Sequence, residues 1–114
     1  MSQANKTTLK IANGSISKGD HEGFLEHCTE DTHWHFVGDK TLHGKQAVRE
    51  WMASEYKEPP NFKVEHLIAE GDFVVAIGTI KLKEEDYNYC DVWQFRDGKM
   101  AALKAFVTKD SNPV

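Results

Sequence analysis

Between Tyr87 and Thr108 the chain reads YNYCDVWQFRDGKMAALKAFVT, and the residue in it with the most chemical potential is Asp91. In an extended strand side chains alternate with period 2, which puts Tyr87, Tyr89, Asp91, Trp93 and Phe95 on one face. That face is aromatic with one carboxylate at its centre. A charged carboxylate among rings is costly, so Asp91 is expected to be hydrogen-bonded, protonated or facing a cavity. Held neutral, it could donate a hydrogen bond to a ligand carbonyl or developing oxyanion, which is the chemistry of an acid–base catalyst. The plainer alternative is an edge-strand residue satisfied by solvent or by a neighbouring N–H.

Histidines offer the competing chemistry. His33-Trp34-His35 places two imidazoles on one side of a strand, with Asp39 shortly after. Two histidines at that spacing can chelate a metal. Parity opposes it: Trp34 and Phe36 claim the core face, leaving His33 and His35 outward, and we expect no metal site and no cofactor. His43 is read as a loop-holding residue. His66 shares its face with Phe62, Val64 and Ile68, so it is expected inside, packed in the core or contributing to a site. Gly14 and Gly19 have the spacing of a phosphate loop, but Asp20 stands where the lysine should be.

These residues need a scaffold, and the pattern supplies one. Leu9, Ala12 and Ile16 recur at helical spacing from about Thr8 to Lys18. Asp20 is a helix N-cap, followed by an apolar stripe of Phe24, Leu25 and Cys28. Residues 31–37 alternate as a strand. Gly44–Lys57 is the clearest helix, with Ala47, Val48, Trp51 and Met52 on one side and Pro59-Pro60 ending it. Four strands follow, Phe62–Glu70, Phe73–Lys83, Tyr87–Arg96 and Lys99–Thr108, the last two joined by a tight turn at Asp97-Gly98. Helices preceding an antiparallel sheet predict an α+β domain with the helices on one sheet face.

Composition bounds the functions open to it. A chain of 114 residues, 39% apolar and 28% charged, is one ordinary globular domain spanning residues 1–114. A formal charge of −4 gives no reason to expect nucleic acid, and no apolar run is long enough to span a membrane. The polar start MSQANKTTLK lacks the apolar core of a signal peptide, which makes the cytoplasm the expected compartment. Cys28 and Cys90 are expected to be free thiols.

The order of these pieces resembles the nuclear-transport-factor-2-like superfamily, and within it the SnoaL-like and ketosteroid-isomerase-like proteins. The resemblance runs from Gly19-Asp20 through Glu30-Asp31 and TxWxF to Leu42-His43-Gly44, then Glu70-Gly71-Asp72, and ends in DVWQFRDGKM at residues 91–100. It implies a cone-shaped sheet curled around helices, a ligand cavity at the wide end, and frequent homodimers. Asp91 matches the oxyanion-hole aspartic acid of the isomerases, a case in which an apolar site keeps a carboxylic acid neutral. The tyrosine partner of that hole would match about Ala12 and the general base would match Phe36, so steroid isomerisation by that route is not expected.

The sequence therefore predicts an aromatic pocket for a small, largely apolar organic molecule, with acid–base catalysis of isomerase, cyclase or dehydratase type centred on Asp91. Trp34, Phe36, His66, Tyr89, Trp93, Leu103 and Val107 are the expected substrate-binding residues, Trp51 and Met52 serve as core or lining, and Ala76 and Gly78 leave room. The alternative is a non-catalytic ligand-binding or protein-interaction module. Val75, Ile77, Cys90, Val92 and Phe106 have the opposite parity and predict an apolar outer face covered by a second copy, that is, a homodimer.

Overall fold

The computed structural model describes residues 2–109, which form three helices and six strands. Helix α1 (Ser2–Ser17) buries Leu9, Ala12 and Ile16 as the spacing predicts, and starts near the N-terminus because Asn5, also buried, continues the same stripe one turn earlier. In α2 (His21–Leu25) the Asp20 side chain accepts from the Gly23 N–H at 2.9 Å, satisfying a donor left over at the helix start. Cys28 is not part of that helix. It opens strand β1 (Cys28–Phe36), where it is buried. A three-residue strand, β2 (Thr41–His43), was too short to show as alternation, and α3 (Lys45–Glu55) follows with Val48 and Met52 fully buried.

The remaining strands are β3 (Asn61–Glu70), β4 (Phe73–Leu82), β5 (Glu85–Arg96) and β6 (Lys99–Lys109). They form a single curved, unclosed sheet in the order β2-β1-β6-β5-β4-β3. The sheet is mixed rather than antiparallel throughout, because β1 runs parallel to β6. Parallel neighbours require a long crossover, and here the connection is everything from β2 to β5. Consecutive hairpins build the other half, β3 to β6, antiparallel.

Register irregularities bend the sheet. One lies in β3 between Val64 and His66, another in the β5–β6 pair next to Phe95, and a third in the β1–β6 pair. Bulges of this kind increase local twist and curl an edge inward. All three helices lie on the concave side. Leu9, Ile16, Phe24, Leu25, Val48 and Met52 meet Trp34, Val74, Trp93, Phe95, Met100 and Leu103 in one apolar core.

Candidate functional site

Toward one end the concave face is not filled, and a cavity of about 380 Å³ remains between sheet and helices. That volume is within the range of small-ligand sites, about 300–1,000 Å³. Asp91 sits on its wall, carried by β5 between Tyr89 and Trp93. The space above it comes from its cross-strand partners: Ala76 of β4 and Ala105 of β6 pair directly with it, and both are lining residues. Two alanines flanking one aspartate leave a hollow that larger side chains would close.

Gly78, by contrast, makes no room for a ligand. A Cβ there would lie 1.9 Å from the Lys63 carbonyl oxygen and 2.9 Å from the Tyr89 hydroxyl. The missing side chain instead lets β3 approach and lets the Tyr89 O–H donate to Lys63 O at 3.3 Å. Tyr89 is thereby fixed next to Asp91.

Trp34, Phe36, Tyr89, Trp93, Leu103 and Val107 all line the cavity. His66 does not. The bulge inserts Glu65 as an extra residue, so beyond it Leu67 and Ala69 turn inward while His66 and Ile68 are exposed. A one-residue slip exchanges the two faces of a strand. His33 is also outward, its ring stacked on His43 at 6.5 Å.

The aromatic walls meet largely at steep angles. Trp34 is edge-on to Trp93 at 5.5 Å and to Trp51 at 5.9 Å. Trp51 in turn lies 5.0 Å from both Phe36 and Tyr56. Such pairs rigidify the wall. The Trp34 Nε1–H is enclosed without a hydrogen-bond partner among the described residues.

Tyr56 is one of several lining residues that the sequence did not disclose, Asn13, Phe62 and Ile80 among them, and the one with a polar group near Asp91. It is the C-cap of α3, its N–H donating to Met52 O at 2.8 Å and its carbonyl bonded to His21 Nε2 at 3.0 Å. Helical spacing from Met52 put it on the buried side, but Pro59-Pro60 marked a helix end slightly later and hid its role as a terminal residue. Burial and the proximity of Asp91 raise its phenol pKa, and the same causes push Tyr89 up to about 12. Both phenols are therefore neutral donors near pH 7.

Asp91 itself is shifted most consequentially. Burial raises its pKa from the ordinary aspartate value to about 7, and no hydrogen bond or cation among the described residues offsets it. Its surface is nevertheless partly accessible, because it faces the cavity. At neutral pH both protonation states are then populated, which suits a group that gives or takes a proton. Elsewhere, burial pushes the Cys28 thiol up to about 12, so it is an inert core residue, and Cys90 is also free.

A family model for the SnoaL-like domain matches residues 12–103. The chain belongs to the SnoaL-like family. Solved structures with the same fold include an NTF2-like protein of unknown function from Burkholderia xenovorans LB400, at TM-score 0.87 and 14% identity, covering 98% of this chain and 88% of that one. A protein provisionally described as a ketosteroid isomerase, from Kribbella flavida, aligns at TM-score 0.86 and 15% identity over 99% of this chain and 84% of its own. An LEH-like epoxide hydrolase from M. tuberculosis aligns at 0.82 and 12% identity, covering 94% and 84%. No curated protein matches the sequence. The SnoaL-like assignment and the curled α+β sheet expected from the sequence thus hold. Among the described residues no helix is long and apolar enough to cross a membrane.

Proposed function

We propose that this SnoaL-like protein binds a small, largely apolar organic molecule in the aromatic cavity and that Asp91 exchanges a proton with it. One observation carries the reading: the unpartnered, buried carboxyl of Asp91 faces a cavity large enough for a ligand. An uncompensated buried carboxyl costs stability, and groups perturbed in this way cluster at functional sites. Tyr56 and Tyr89 supply neutral O–H groups nearby. Relatives of the same fold described as an isomerase and as an epoxide hydrolase accord with acid–base work on a small organic substrate.

The positions matching the isomerases' other catalytic groups hold Ala12, sealed in the core, and Phe36, a wall residue. Steroid isomerisation by that route is therefore not part of the proposal. A second reading, a non-catalytic carrier, is favoured by one observation: Asp91 is the sole carboxylate in the cavity interior among the described residues, since Asp39 and Glu55 are exposed at the rim. A thermal-shift screen against hydrophobic ketones, lactones and polyketide-like aromatics tests the shared claim. A ligand at a hundred times its Kd should add about 2.7 kcal/mol to native stability. Ala76→Phe, which fills the hollow beside Asp91, should abolish the shift; no shift with any compound would contradict the reading. Turnover of a hit, lost in Asp91→Asn, separates enzyme from carrier.

A further inference from the structure

The charged groups of the cavity are all of one sign. Asp91 is inside, Asp39 and Glu55 stand at the exposed rim, and among the described residues no lysine, arginine or histidine lines it. Trp34 packs edge-on against Trp51 at 5.9 Å and against Trp93 at 5.5 Å, and together with Phe36 they make an apolar aromatic wall. An anion would be repelled at the rim and find no counter-charge within. A neutral ligand would close Asp91 off from solvent and leave its carboxylate uncompensated whenever it ionised.

Resting on the reading that this cavity takes a small apolar organic molecule, we propose that the molecule's polar handle is a protonated amine. Its ammonium nitrogen pairs with the Asp91 carboxylate, and its hydrocarbon body lies against the tryptophan walls. The cation supplies the counter-charge that the protein omits, in a charge-assisted hydrogen bond. The titratable groups around Asp91 are the Tyr56 phenol at the end of α3, the Tyr89 phenol on its own strand, and the rim carboxyls Glu55 and Asp39. Its partners on β4 and β6 are Ala76 and Ala105, α1 contributes Asn13, and β1 contributes Trp34 and Phe36, none of them ionisable near neutrality. A permanent cation should therefore bind more tightly as Asp91 loses its proton on raising the pH through about 7.

Isothermal titration calorimetry of the full chain with four naphthalene probes of matched body tests this: 2-naphthylmethylamine, its trimethylammonium analogue, 2-naphthylmethanol and 2-naphthoate. We expect both cations to bind at least tenfold tighter than the alcohol at pH 8, with naphthoate undetected. Between pH 5.5 and 8.5 the trimethylammonium affinity should rise at least fivefold, and folded Asp91→Asn should lose both the preference and the pH dependence. Should that variant not fold, the pH dependence in the parent protein decides alone. An alcohol that binds as well as the cations overturns the ammonium assignment and leaves the apolar-ligand reading standing. Cation preference unchanged in folded Asp91→Asn, or flat with pH in the parent, overturns the pairing with Asp91. Binding of none of the four overturns both.

Discussion

Asp91 lies between two aromatic rings on its strand and two alanines across it, and each pair does something different. The rings remove water from the carboxyl, and the alanines leave the space that a ligand would take. Its folded pKa of about 7 lies above the roughly 3.9 of an unfolded aspartate, so the folded state holds the proton more tightly. The stability it contributes is fully present below about pH 4 and is lost as pH rises through about 7. Asp91→Asn should remove that loss, making the variant more stable than the parent by about 1–4 kcal/mol at pH 8, with the gap closing near pH 4. Urea unfolding at pH 4, 6 and 8 checks it; a constant difference across pH would show that Asp91 does not titrate in this window. Trp93 is core and cavity wall at once, at 4% exposure. Trp93→Ala should cost about 3–5 kcal/mol, measured by thermal unfolding, and also weaken any cavity ligand. Asp91 and its ring neighbours were legible in the sequence because β5 alternates without interruption from Tyr87 to Trp93. His66 was misplaced because a bulge has no signature in apolar parity, and Tyr56 was missed because Pro59-Pro60 set the expected helix end past it.

At the scale of elements, the close approach of β3 to β4 depends on Gly78. Its value lies in the absent side chain rather than in an unusual backbone angle. Gly78→Ala would push the Lys63 carbonyl away, break the bond from Tyr89 and loosen the strand pair. We expect a loss of about 1–3 kcal/mol in urea unfolding and a fall in ligand affinity, since Tyr89 would no longer be fixed; a neutral substitution would contradict the contact. The helices and the four-strand succession were readable from periodicity and turn residues, and their observed bounds lie close to those expected except at the start of α1 and the end of α2. The β1–β6 parallel pairing was not readable. Which strand meets which across a sheet is fixed by the packing of whole faces, and nothing in the local pattern of either strand names its neighbour.

For the whole molecule, the two faces of the sheet tell different stories. The concave one holds core and cavity. On the convex one, Val75 pairs with Ile68 and Val92, and Ile77 with Cys90, which pairs with Phe106, giving two apolar rows of three strands each that are continued by Lys104 on β6 and His66 on β3. Ile68 is 55% exposed and Phe106 41%. A patch of that kind on an antiparallel region calls for a cover, and a second copy about a two-fold axis is the simplest one. Light scattering at micromolar concentration should give a dimer mass, and Phe106→Glu should shift it toward monomer; a monomeric parent protein would contradict this. On the other face the curled sheet shields one carboxyl from most of its water and leaves it open to a ligand. The most direct test is a pH titration of the Asp91 carboxyl by carbon-detected NMR in the ligand-free protein. A midpoint near 7 is expected. A midpoint at or below that of an exposed aspartate, about 3.9, would contradict it and leave Asp91 a solvated or hydrogen-bonded acceptor.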